Sequence, residues 1–275
     1  MTNPAVKLQS QLRIGAVNYL NSKPLVYRLA ERTPACKLLF DLPSRLADSL
    51  AAGRLDVALV PVVEYFSDPA YRLVSDACVA SGGPVRSVKV YFRRPPAEVR
   101  TLALDEGSRT SASLARVLLK ERFGIEPERS PLPLGMGANS VNADAVLLIG
   151  DRAMLSPAEA FVETWDLATE WRKQTGLPFV FACWVARPDV PATDASIAEV
   201  AGQLAAARDA GAKHLPEIAA EHGPPIGISA DAALDYLKRN LHFRLGADER
   251  RSLDLFRQQV AQLGIVPPVA TATNP

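Results

Sequence analysis

The sequence predicts an α/β protein of two hinge-connected lobes with a cleft between them. Three observations predict it. From Arg13 to Phe66 short apolar runs alternate with helical patterns, as they do in a doubly wound sheet. A strand whose carboxyl end meets a polar loop and a helix start recurs at 17–22, 104–111 and 149–152, and ligands of open α/β sheets bind outside such ends. Two proline-bearing segments, beginning at Arg93 and Arg187, are suited to crossings between lobes. They divide the chain into a discontinuous first lobe, residues 1–93 plus 188–275, and an inserted second lobe, residues 94–187.

Taken in order, Arg13 to Val17 is a short apolar strand leading into Asn18-Tyr19-Leu20-Asn21-Ser22-Lys23-Pro24. Leu25 to Arg32 reads as a helix with Pro24 in its first turn, and Asn21 or Ser22 as its cap. Cys36 to Phe40 is a second strand. Pro43 to Ala52 is a helix with Leu46 and Leu50 on one face, stopped by Gly53. Leu55 to Val60 is nearly continuously apolar, the pattern of a strand covered on both sides. Pro61 starts a short helix over Val62 to Phe66. Three strand-like runs follow with no helix between them, at 71–74, 77–80 and 87–92, and Ser87 opens the last.

The second lobe begins with a strand at Thr101 to Leu104 and the loop Asp105-Glu106-Gly107-Ser108-Arg109-Thr110-Ser111. The helix after it carries Leu114, Val117, Leu118 and Phe123 and ends at Gly124. The hydroxyls of Ser108, Thr110 and Ser111 can cap first-turn amides, and those amides with the positive helix end can hold an anion. Both uses fit the residues. A weak strand is expected at 132–134 and a buried one over Ala143 to Ile149, ending in Gly150-Asp151. There Asp151 can cap the short helix Arg152 to Leu155 or orient a substrate hydroxyl. Thr169 to Gln174 is helical, Phe179 to Ala186 is a strongly apolar strand, and the remainder is helical.

The chain of 275 residues is 48% hydrophobic and 22% charged, which is the composition of a folded globular protein. Its 31 basic and 30 acidic residues leave a net charge of +1, so no nucleic-acid or anionic-membrane partner is implied. Cys36, Cys78 and Cys183 lie far apart in apolar runs, and His214, His222 and His242 all fall in the last quarter. Neither set has the spacing of a disulfide framework or a zinc site. No secretory signal is read between Met1 and Arg13, and no run approaches the roughly eighteen apolar residues of a membrane span. A cytoplasmic protein is expected, with no oligomeric state implied.

Asn18-Tyr19-Leu20-Asn21-Ser22-Lys23-Pro24-Leu25, Gly83-Pro84-Val85-Arg86-Ser87-Val88, Ser108-Arg109-Thr110-Ser111, Leu148-Ile149-Gly150-Asp151 and Thr175-Gly176-Leu177-Pro178-Phe179-Val180-Phe181 occur in that order. Together they resemble the chorismate dehydratase family, which opens the futalosine route to menaquinone. The resemblance runs from about Arg13 to the last helix. It implies the two-lobed (type II) fold of periplasmic solute-binding proteins. It also implies dehydration of chorismate to 3-[(1-carboxyvinyl)oxy]benzoate, with no metal or organic cofactor. By the same resemblance Asn21 and Ser87 are the catalytic polar residues of the cleft, Asn21 at the reacting enolpyruvyl or hydroxyl end. Ser87, Ser108, Thr110 and Ser111 would hold carboxylates, with Tyr19, Arg109 and Asp151 completing the substrate site. Arg109 would brace its loop.

A sister family that makes 1,4-dihydroxy-6-naphthoate shares the fold, but its members carry a Cys- and Asp-containing first loop and use a cleft histidine. Here that loop is Asn18 to Asn21, and no histidine precedes His214. A non-catalytic cytosolic small-anion-binding protein is the other alternative, and a sensor of this length would leave no room for an output domain. For the base that removes the substrate proton, Glu106, Asp151 and the substrate's own enolpyruvyl carboxylate are the alternatives, the last being the hypothesis adopted.

Overall fold

The computed structural model describes residues 11–155, 157, 159–190 and 195–268. The first ten residues, the end of the second crossing from Pro191 and the residues beyond Pro268 lie outside them.

The chain opens with β1 (Arg13–Val17), a 3-10 turn (Leu20–Val26), α1 (Leu29–Arg32), β2 (Lys37–Asp41), α2 (Pro43–Ala51), β3 (Val57–Pro61), α3 (Val62–Ser67) and β4 (Arg72–Ser81). It continues through β5 (Val88–Phe92), β6 (Thr101–Asp105), α4 (Arg109–Phe123), β7 (Glu128–Leu132), β8 (Ala145–Ile149), α5 (Asp151–Met154), β9 (Glu163–Asp166) and α6 (Leu167–Thr175). After β10 (Phe179–Ala186) come α7 (Ala195–Lys213), α8 (Leu215–His222) and α9 (Ala230–Asp235), which runs on into a π turn (Tyr236–Asn240). The short β11 (His242–Arg244) and α10 (Ala247–Gln262) close the described chain.

Local chemistry accounts for most of these boundaries. α4 starts where the Ser108 hydroxyl accepts from the Ser111 amide at 3.1 Å, and stops where Gly124 takes φ 69°. β3 is buried at every position, as its unbroken apolar run predicts. The expected helix over Leu25 to Arg32 is instead a 3-10 turn followed by one α turn. Pro24 falls inside the first, and Arg28, at φ 53°, breaks the path between them. The runs at 71–74 and 77–80 form the single strand β4, whose pairing with β10 shifts register along its length.

One sheet has the order β11-β4-β10-β3-β1-β2 and the other β7-β6-β8-β5-β9. Both are mixed. β1, β2 and β3 are parallel, as are β6, β7 and β8, whereas β4, β5 and β10 pair antiparallel to their neighbours. The chain changes sheet earlier than the proline segments suggest. β5 already belongs to the second sheet before Arg93, and β10 is back in the first before Arg187. The changes therefore fall between β4 and β5 and between α6 and β10. Arg93 instead turns inward to Glu159 at 2.6 Å and to the Ala138 and Ala143 carbonyls. It anchors its own lobe.

Asp56 closes the opposite end of the first sheet, accepting from the Arg13 amide at 2.9 Å and from the Arg13 and Arg187 guanidiniums at 2.8 and 3.0 Å. Burial pushes its carboxyl up, but the bonds from Arg13 and Arg187 outweigh burial and hold it below the ordinary range. Asp56→Ala leaves two guanidiniums facing a vacated site, and is expected to cost about 3 kcal/mol at neutral pH. A carboxyl with a depressed folded pKa stabilises above its unfolded pKa and loses that contribution as pH falls. The gap between wild type and variant, read by urea unfolding, therefore narrows on acidification.

Candidate active site

At the carboxyl ends of β1, β3, β6 and β8, a narrow, partly open cavity lies between the two sheets. Its walls are apolar, with Leu59, Pro61, Val79, Val88, Ile149 and Phe181 among them. Its polar side chains are Tyr19, Asn21, Ser87, Ser108 and Ser111. None of its lining residues is an aspartate, glutamate, histidine, lysine or arginine. The chemistry on offer is therefore neutral hydrogen bonding around an apolar slot.

Each polar group arrives from a strand end. Tyr19 and Asn21 follow β1, Ser87 precedes β5, and Ser108 and Ser111 open α4 after β6. The Ser108 oxygen caps the Ser111 amide, so its own proton remains to be donated. Among the described residues the amides of Arg109 and Thr110, in the first turn of α4, have no acceptor, nor does the Ser111 hydroxyl. Capping and anion binding are thus compatible at this helix start.

Tyr19 crosses from the first lobe to rest on two glycines of the second. A Cβ built on Gly150 would lie 3.0 Å from Cζ of its ring, and one on Gly107 would lie 3.3 Å from its hydroxyl. Burial, reinforced by the negative charge of Asp105, pushes its phenol up to about 12, so it stays protonated and donates. Asp105 accepts from the Gly107 and Ile149 amides at 2.9 and 3.2 Å and from Arg152 at 2.6 Å. It thereby ties the ends of β6 and β8 together beneath the cavity.

Arg109, Thr110 and Asp151 do not line the cavity. Arg109 pairs with Asp48 of α2 at 2.5 Å and Glu64 of α3 at 3.2 Å. The Thr110 hydroxyl accepts from the Val63 amide at 3.3 Å. Asp151 is the first residue of α5, with Gly150 as the cap, and its carboxylate accepts from the Leu20 amide at 3.2 Å. All three reach across to the first lobe. They are contacts between lobes, and the cleft is closed across them.

The histidines lie elsewhere: His214 stacks on Tyr27 at 4.8 Å, His242 meets Glu249 at 2.9 Å, and His222 approaches Glu221 at 3.6 Å. Cys78 and Cys183 are buried opposite one another on β4 and β10. One residue that the sequence reading passes over reaches the site from the helical tail. The Tyr236 phenol is buried and donates to the Ser87 hydroxyl at 2.8 Å. Its only advance sign is an aromatic residue in an otherwise polar stretch, which names no partner.

The profile of a family described as "Menaquinone biosynthesis" matches residues 12–262. The chain belongs to the menaquinone-biosynthesis family. One relative, the chorismate dehydratase of Thermus thermophilus, is 30% identical over 262 residues, spanning 89% of this chain and 93% of its own. Among solved structures, protein AF1704 of Archaeoglobus fulgidus superposes with a TM-score of 0.71 at 15% identity, covering 94% of this chain and 100% of that one. A Candida albicans protein described as having the generic periplasmic binding protein fold superposes with a TM-score of 0.62 at 12% identity over 94% of this chain and 92% of its own. At such identities the likeness is one of fold. This menaquinone-biosynthesis family member is thus built on the two-lobed binding-protein architecture. Among its described residues no helix is long and apolar enough to cross a membrane.

Proposed function

We propose that this chain is a cytoplasmic hydro-lyase that converts chorismate to 3-[(1-carboxyvinyl)oxy]benzoate and water. The observation that carries the mechanism is the make-up of the cavity: neutral donors around an apolar slot, with no side-chain base on its wall. The cyclohexadiene ring lies between apolar faces such as Phe181 and Ile149. The ring carboxylate takes the Ser108 and Ser111 hydroxyls at the start of α4. Asn21 and Ser87 hold the enolpyruvyl carboxylate over C3.

The elimination removes the C3 proton and the C4 hydroxyl, and the ring becomes aromatic. In a cavity without an ionised carboxylate or a histidine, the substrate's own enolpyruvyl carboxylate takes the proton. Holding it against C3 supplies a large effective molarity. Charge spreading onto the ring carboxylate meets preorganised donors, each typically worth about a hundredfold or more in rate. The proton and the C4 hydroxyl then leave together as water.

Incubating the purified protein with chorismate and following the product by chromatography tests the proposal. Conversion is expected. Binding without conversion identifies an anion-binding protein, and if neither binding nor conversion is seen the sister reaction remains. Asp151→Asn and Glu106→Gln test the base. The Asp151 carboxylate faces the Leu20 amide and Glu106 is exposed, so both variants are expected to keep kcat within about fivefold of wild type. A variant that binds chorismate but has lost essentially all turnover would make that residue the base.

A further inference from the structure

The loop that carries the chain from the first sheet to the second, residues 84–87, is pinned along its whole length by one segment of the helical tail. Asn240 donates to the Pro84 carbonyl at 2.8 Å, Arg86 pairs with Asp235 at 3.3 Å, and Tyr236 donates to the Ser87 hydroxyl at 2.8 Å. From the second lobe Asp166 accepts from the Val85 and Arg86 amides. The clamp holds Arg86 at φ 63°, a left-handed conformation that few non-glycine residues adopt. Tyr236 itself begins a π turn, a distortion often found at functional sites.

Hydrogen-bond accounting at Ser87 shows what this achieves. Its amide is used by the Val85 carbonyl and its carbonyl by the Gly150 amide. Its hydroxyl oxygen accepts from Tyr236, while its hydroxyl proton has no acceptor among the described residues. Ser87 is 1% exposed yet lines the cavity, so that proton has the cavity as its outlet. Asn21, the other polar residue of the enolpyruvyl end, lines the same cavity near this phenol. Burial pushes this phenol well above its ordinary range, and it remains a donor throughout the working pH.

We infer that Tyr236 is a positioning residue for the dehydration: by donating to Ser87 and standing against Asn21, it turns the Ser87 proton into the cavity and sets both groups on one substrate carboxylate. This rests on the dehydratase reading above. Without the phenol no protein donor fixes the Ser87 hydroxyl, and its proton is no longer held toward the substrate.

Tyr236→Phe keeps the ring and removes only the donor. Its kcat on chorismate is expected to fall tenfold or more, with KM changed less than threefold and the melting temperature within a few degrees of wild type. In a double-mutant cycle, adding Tyr236→Phe to Ser87→Ala is expected to lower kcat by less than twofold further, because the two act as one unit. An undiminished loss in the Ser87→Ala background, or a loss that only tracks melting temperature, overturns the inference. A second measurement is independent of turnover: the Tyr236 hydroxyl proton, read by NMR in tyrosine-labelled protein, is expected to be slowly exchanging and to shift in Ser87→Ala. A signal that is absent or unmoved by Ser87→Ala also overturns the inference. Wild-type protein that fails to convert chorismate, with that signal shifting as expected, instead refutes the dehydratase reading and with it Tyr236's part in dehydration.

Discussion

Gly150→Ala is expected to lower kcat/KM for chorismate by a hundredfold or more. Gly150 has φ 68° and ψ −152°, a region essentially closed to residues with a Cβ, and occupying it costs about 1–3 kcal/mol. The added methyl would also stand 3.0 to 3.1 Å from three carbons of the Tyr19 ring, which belongs to the other lobe. Either the ring leaves or the lobes part. The Gly150 amide donates to the Ser87 carbonyl at 2.8 Å, so the shift reaches Ser87 as well. A displacement of about 1 Å at a reacting group can cost about a hundredfold. Steady-state kinetics on Gly150→Ala measure this directly, and Tyr19→Ala added to it removes the clash but not the backbone strain. A single variant that retains activity within threefold of wild type refutes the closed arrangement as the working one.

Asn21→Ala carries the second large effect. Asn21 lines the cavity near the Tyr236 phenol, so its side-chain amide is placed to meet the substrate. Asn21 holds the carboxylate that takes the proton against C3, and a displacement of about 1 Å at such a group can cost about a hundredfold in kcat. The loss is expected in kcat more than in KM, since the donor is aimed at the group that takes the proton. Asn21→Asp is expected to behave differently. It sets a carboxylate against the substrate dianion, and titration calorimetry should show chorismate binding lost along with turnover. Equal behaviour of the two variants would place Asn21 away from the substrate.

The strands and helices with strong local signals were legible in the residues. β3 and β10 are unbroken apolar runs, and α4 announces its stop at Gly124 and offers three hydroxyls as caps, of which Ser108 is the one used. The elements that escaped or were displaced are β7, β9 and β11, all at sheet edges. Edge strands are short and carry charged residues, here Glu128, Glu163 and Arg244, so alternation has no length in which to show itself. Of the polar residues lining the cavity, Tyr19, Asn21, Ser108 and Ser111 stand on loops that local strand-end patterns mark, whereas Ser87 opens a strand and is assigned to the cleft by the family resemblance. Arg109, Thr110 and Asp151 belong to the same patterns, yet their side chains turned to the other lobe. Sequence spacing places a residue at a strand end and leaves its direction open.

By itself the sequence determined the α/β class and the three strand-end loops, because periodicity, caps and residue type act over a few positions. Only the tertiary structure decided that Leu20 would meet Asp151 and that Tyr236 would meet Ser87, pairs separated by 131 and 149 residues. Such contacts form when two lobes and a helical tail bury their apolar faces against one another. Polar groups trapped by that burial must then find partners across the chain, and no local pattern records which ones they find.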